Sequence, residues 1–175
     1  MTWNADDVLL LNLKVLSDSS KWTVTCVGTQ EWRLQDRFSR GLRLRPDDPV
    51  SWRWASAIYA TYFIGRPPDA CLASSAVLRA IPSRSNVIDM LPHTLSNLLA
   101  SGNGSLGPLP VPAIRILKTV LGPHNVEVYQ AGYDQSEVGG DFSALSFGDS
   151  YVIAERFVAE LCQPNTAAAT FAVPL

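Results

Sequence analysis

Arginine and aromatic side chains are interleaved between positions 32 and 54, where six of the chain's eleven arginines lie. The residues of this pattern are Arg33, Arg37, Arg40, Arg43, Arg45 and Arg53, with Trp32, Phe38, Trp52 and Trp54. A guanidinium is permanently charged, binds phosphate or carboxylate through paired hydrogen bonds, and stacks on aromatic rings. Three aspartates accompany the six arginines, so the segment carries +3 in a protein whose net charge is −2. This segment is where the sequence indicates a partner.

The spacing of the arginines places most of them on two consecutive predicted elements. On a helix over residues 30–40, the first three recur at i, i+4 and i+7 and share one face. On a strand over residues 42–45, the next two share one side. Three interpretations fit this pattern: a solvated face, an interface with a protein, and contact with single-stranded nucleic acid whose bases stack on the aromatic rings.

Residue types that perform catalysis or bind metals are sparse. The two histidines, His93 and His124, each follow a proline, and no Gly-x-Ser-x-Gly motif is present, so no nucleophile with a histidine base is indicated. Cys26, Cys71 and Cys162 lie far apart without Cys-x-x-Cys spacing, which favours buried free thiols over a disulfide framework or a zinc site. We therefore predict no catalytic residue, no metal and no cofactor.

Charge is distributed unevenly along the chain. Residues 1–125 carry +4, whereas residues 126–175 carry −6. The acidic side chains that we predict to complement the arginines are Glu127, Asp134, Glu137 and Asp141. The two ends either neutralise each other within one fold or meet between identical subunits, which generates rings or filaments.

Length and composition limit the class of protein. A chain of 175 residues that is 47% apolar and 17% charged predicts one globular domain, over residues 1–162, followed by an uncharged tail over 163–175. No stretch is long and apolar enough to span a bilayer, and the acidic N-terminus is unlike a secretory signal. Free thiols indicate a reducing compartment, so we expect an intracellular protein or a virion assembled there.

Hydrophobic periodicity and capping residues predict a mainly α fold, a bundle-like single domain with two or three short β-strands. Helices are predicted over residues 6–17, 30–40, 49–64, 70–81, 86–100 (one kinked helix or two short ones), 112–121 and 150–161. Strands are predicted over residues 22–27, 42–45 and 126–130, and loops over 101–111 and 131–148. The helix over 49–64, with Asp48 as N-cap and Pro49 as its first residue, is expected to be the centre of the core.

These features predict a non-enzymatic, self-associating structural protein, such as a coat or nucleocapsid-type subunit. Residues 32–54 would dock on the acidic residues 127–160 of a neighbouring copy, and single-stranded nucleic acid is a further candidate partner. One alternative is a monomeric helical adaptor that binds another protein. Another is a small enzyme whose active site is built from the loops at 101–111 and 131–148.

Overall fold

The computed structural model describes residues 2–4, 7–35, 41–132 and 141–162. Within these ranges the protein is mostly β, with eleven strands in three antiparallel sheets and five short helices. The prediction of a mainly α, bundle-like fold is therefore wrong.

Strands dominate both ends of the chain, and the helices cluster in the middle. The strands are β1 (Thr2–Asn4), β2 (Val8–Lys14), β3 (Lys21–Val27), β4 (Glu31–Arg33), β5 (Arg43–Arg45), β6 (Ile58–Ile64), β7 (Asn103–Pro110), β8 (Glu127–Ala131), β9 (Ser143–Phe147), β10 (Ser150–Ala154) and β11 (Arg156–Cys162). The helices are α1 (Trp52–Ala55), α2 (Ala70–Ala80), α3 (Val87–Met90), α4 (Leu95–Ser101) and α5 (Val111–Leu121), with 3-10 turns at Pro49–Ser51 and Gly122–His124. The sheets have the strand orders β1-β2-β3-β11, β4-β10-β9-β5 and β7-β6-β8.

The first two sheets form a bent sandwich in which one long pair of strands, β3–β4 with β10–β11, runs from one sheet into the other. β3 pairs with β11 in the first sheet, and β4 pairs with β10 in the second. At the corner, Gln30 N donates to Ile153 O at 2.9 Å and Glu155 N donates to Val27 O at 3.1 Å. Gly28 has a φ of +65° there, where residues with a Cβ are disfavoured. The core between the sheets consists of Leu9, Leu11, Val24, Cys26, Leu145, Val152 and Ala154.

Residues 58–131 form the third sheet and its helical cover, and they are inserted in sequence between β5 and β9 of the second sheet. Thr61 and Phe63 of β6 are fully buried, and Phe63 packs in the largest core with residues from α2, α4 and α5. The predicted helices near 70–81 and 112–121 are confirmed, as are the predicted strands near 22–27, 42–45 and 126–130. Asp69 caps α2 as expected, accepting from Leu72 N at 2.9 Å.

The prediction of one long helix over residues 49–64 is correct only for its first turns. Asp48 does cap its start, accepting from Val50 N at 3.2 Å, but the helix ends at Ala55 and the chain continues as β6. The segment 58–64 is rich in β-branched and aromatic residues, and its side chains alternate between buried and exposed from Thr61 to Ile64. Because β6 pairs with β7 on one side and β8 on the other, the pattern of period two prevails over the helical one.

Other predicted helices and loops are also strands. The segments predicted as helices at 6–17 and 150–161 form β2, β10 and β11, and the segment predicted as a helix at 30–40 begins with β4. The predicted loop at 101–111 contains β7, an edge strand that tolerates prolines because one side of it needs no backbone donor. The predicted loop at 131–148 contains β9.

Candidate interaction site

Arg43 and Arg45 lie on β5, at one edge of the second sheet. β5 pairs with β9, with Leu44 opposite Leu145, and all three of its residues are exposed. Arg43 and Arg45 extend to one side of the strand, whereas Leu44, which is 57% exposed, extends to the other. No described strand pairs with the outer edge of β5, so this edge presents backbone groups that another strand can pair with.

Trp32 and Arg33 lie on β4, at the opposite edge of the same sheet. One row of paired residues runs from Arg33 through Tyr151 and Ser146 to Arg43, so the two arginines share a face of the sheet. Three strand spacings of about 4.8 Å, roughly 14 Å in all, separate their backbones. The prediction that Arg33 lies on a helix is therefore wrong, because Arg33 is on a strand at the far edge.

Several predicted partner-binding residues cannot be placed. Arg37, Phe38 and Arg40 of the arginine segment, and Asp134 and Glu137 of the acidic set, lie outside the described residues. The predicted pairing of the complete arginine segment with the complete acidic set therefore stays a prediction.

Glu127 and Asp141 are the two acidic residues of the predicted set that the structure describes, and both are exposed. Glu127 begins β8, an edge strand of the third sheet, and shares the open face of that sheet with Tyr129. The Tyr129 ring stacks on Tyr62 of β6, with centroids 6.2 Å apart, and Ile64 beside them is 56% exposed. The open face thus presents a carboxylate and a tyrosine ring two residues apart on an edge strand.

Glu31 on β4 is the centre of a hydrogen-bond network that sequence reasoning missed. Its Oε1 accepts from Tyr151 Oη at 2.5 Å, and its Oε2 accepts from Trp54 Nε1 at 3.2 Å. Asn86 Nδ2 donates to both oxygens at 3.3 Å. These donors are 120, 23 and 55 residues away in sequence, so no local signal marks Glu31.

The Tyr151 phenol is the most buried donor to Glu31, since its residue is only 7% exposed. Burial, followed by the hydrogen bond to Glu31 and the charge of that carboxylate, raises the pKa of Tyr151 to about 12. The phenol therefore keeps its proton at neutral pH and acts as a donor, not as a base.

An open cleft of about 600 Å³ borders this network. The residues that line it are Glu31, Arg53, Asn86, Asp89, Met90 and Pro108. They come from β4 of the second sheet, from α1, from α3 and the residue before it, and from β7. The Arg53 guanidinium carbon lies 5.3 Å from the ring centroid of Trp54, so Arg53 faces a cleft and stacks on an aromatic ring.

The cysteines are in two environments. Cys26 is buried in the sandwich core, and burial raises the pKa of its thiol to about 11. Cys71 and Cys162 are exposed, so the prediction of buried thiols is wrong for both. In the part of the chain that the structure describes, no three His, Cys, Asp or Glu side chains are grouped as metal ligands, and no helix is long and apolar enough to cross a membrane.

The chain matches no protein-family model, no curated protein and no solved structure.

Proposed function

We propose that the protein is a non-enzymatic structural protein that self-associates, with β5 of one copy docking on β8 of a neighbouring copy. The observation that carries this proposal is the exposed strand β5, which carries two arginines and an exposed leucine and whose outer edge no described strand pairs with. An edge strand with no neighbour on one side can bind a further strand by adding it to the sheet.

The side chains on the two strands are complementary in spacing. Arg43 and Arg45 are two residues apart on β5, and Glu127 and Tyr129 are two residues apart on β8. Residues at this separation on a strand extend to the same side, about 6.7 Å apart. One guanidinium can therefore bind the Glu127 carboxylate while the other stacks on the Tyr129 ring.

The two docking surfaces differ, so the contact joins unlike faces of identical subunits. Such a head-to-tail contact produces a ring if its rotation closes and a filament if it does not. Either outcome is suited to a subunit of a larger assembly, such as a coat or nucleocapsid-type layer. Phosphate is the second candidate partner of Arg43 and Arg45, since a guanidinium binds phosphate and carboxylate in the same way.

A different role for the same arginines would be protective. Charged side chains on an edge strand prevent unwanted pairing in monomeric proteins. The two roles predict opposite behaviour when the charges are changed, because a protective charge keeps copies apart and a docking charge brings them together.

The test is the oligomeric state of the wild type and of an R43E/R45E variant, measured by light scattering after size exclusion at about 50 mM and about 500 mM salt. We expect the wild type to associate more strongly at low salt, and the variant to associate at least about tenfold more weakly. The matched control is R79E/R115E, which makes the same charge change at two exposed helical positions.

Two results would count against the proposal. A wild type that is monomeric at both salt concentrations would exclude self-association through this contact. A variant that associates more strongly than the wild type would assign a protective role to the arginines. The ratio of absorbance at 260 and 280 nm on the same samples reports nucleic acid that co-purifies with the wild type and is lost from the variant.

A further inference from the structure

We propose that the cleft at Glu31 binds a small zwitterion of the amino-acid class, with its ammonium group at Glu31 and Asp89 and its carboxylate at Arg53. This site shares no residue with the β5 and β8 surfaces, so a test of ligand binding here does not depend on whether the protein self-associates.

The Glu31 carboxylate is fixed in place before any ligand arrives. Its donors come from three separate elements: Tyr151 from β10, Trp54 from α1, and Asn86 from the position before α3. A side chain held in one orientation loses little conformational entropy on binding, which is the condition for a tight polar site. These three donors are all neutral, so they orient the carboxylate without cancelling its charge.

Glu31 can accept a ligand donor in place of one long contact. A carboxylate has about four lone-pair sites, and the four contacts from Tyr151, Trp54 and Asn86 occupy them, so the ammonium replaces one of the two 3.3 Å contacts that Asn86 makes. Asp89, three residues after Asn86 and exposed at the cleft, supplies a second carboxylate. An ammonium group has three donors, so it can bind both carboxylates at once.

Arg53 gives the cleft its opposite charge. The Trp54 ring covers one face of the guanidinium, and the planar edge of the group carries the donors that bind a carboxylate in a bidentate manner. The cleft is therefore lined by two negatively charged groups and one positively charged group. A molecule with an ammonium and a carboxylate matches this set, whereas a simple anion meets two repelling carboxylates.

The remaining lining suits a small organic molecule. Met90 and Pro108 supply an apolar wall, and Met is adaptable to side chains of different shape. The volume of about 600 Å³ lies within the range of about 300–1,000 Å³ that is typical of small-molecule sites.

The experiment is a titration of the purified full chain with the twenty standard amino acids, followed by tryptophan fluorescence, since Trp54 borders the cleft. The best binder is then compared with its amide, which lacks the carboxylate, and its N-acetyl derivative, which lacks the ammonium. We expect binding of the amino acid below about 10 mM and at least about tenfold weaker binding of both derivatives, because each loses a charged hydrogen-bond partner.

Two variants assign the ends of the ligand. R53Q should weaken binding of the amino acid at least about tenfold and leave binding of the amide unchanged, whereas D89N should weaken both. The matched controls are R79Q and D141N, which remove the same charges at exposed positions outside the lining. The proposal is overturned if no amino acid binds at about 10 mM, if the derivatives bind as well as the amino acid, or if R53Q and D89N behave like their controls.

Discussion

Replacement of Glu31 by alanine removes the acceptor on which three elements converge, and we expect it to destabilise the fold by about 3 kcal/mol. The largest part comes from Tyr151, whose hydroxyl donates at 2.5 Å to a charged oxygen in a residue that is 7% exposed. A buried donor left without a partner costs about 1–3 kcal/mol. Trp54 and Asn86 are half-buried and can turn to water, so each adds about 0.5 kcal/mol.

The assay is urea unfolding followed by tryptophan fluorescence, with thermal unfolding as a second measure. For a chain of this size a loss of about 3 kcal/mol lowers the melting temperature by about 6–12 °C. E31Q is the graded comparison, because its amide oxygen still accepts one donor while its amide nitrogen faces the others, and it should cost about 1–2 kcal/mol.

A double-mutant cycle of E31Q with Y151F measures the interaction energy between the Glu31 and Tyr151 side chains. We expect a coupling energy of about 1–2 kcal/mol between Glu31 and Tyr151, since the two are in direct contact. A loss below about 0.5 kcal/mol in the alanine variant, or no coupling in the cycle, would refute the reasoning that this network holds the second sheet to α1 and α3.

The same network predicts a pH dependence. The raised pKa of Tyr151, about 12, means that the folded state keeps its proton where the unfolded state loses it. The stabilisation is therefore complete below about pH 10 and declines as the pH rises towards 12. In E31Q the pKa of Tyr151 should fall, since the carboxylate charge is removed, and the decline of stability over this range should become shallower. Absorbance at 295 nm monitors the titration of the phenol.

Two further predictions concern single positions. Cys26 should react with a thiol reagent far more slowly than the two exposed cysteines, so labelling of the folded protein should stop at two groups until denaturant is added. Gly65→Ala should destabilise the fold by more than about 2 kcal/mol, because Gly65 has a φ of +115° and a Cβ there would overlap the carbonyl oxygen of Asn125. Gly122→Ala is its control, since it has a helical φ and open space around the Cβ, and equal losses in the two variants would contradict the argument.

Sequence patterns predicted correctly those helices and strands that neighbouring residues in the chain determine. Asp69 capping α2, the helical face of α5 and the alternation of β3 were all readable from neighbouring residues. The segments at 6–17 and 150–161 were misread because continuous apolar runs fit a buried helix and a buried strand equally well. The choice between them depends on strand partners elsewhere in the chain, such as β3 for β2 and β9 for β10.

The candidate site was predictable to a similar extent. The short strand that carries Arg43 and Arg45 followed from the period-two pattern of residues 42–45, and the structure confirms this strand. Arg33 is separated from Arg43 and Arg45 because of the order of strands in the second sheet, and this order could not be predicted from the sequence. Glu31 was overlooked because its partners come from three distant segments that only the fold brings together.

The central claim, head-to-tail docking of β5 on β8, is tested most directly by mixing two variants that each lack one surface. R43Q/R45Q retains the Glu127 surface, and E127Q retains the arginine surface, so neither should associate with itself. We predict that each variant alone is monomeric by sedimentation velocity and that an equimolar mixture forms heterodimers that do not grow further. A mixture that stays monomeric under conditions where the wild type associates would contradict the claim.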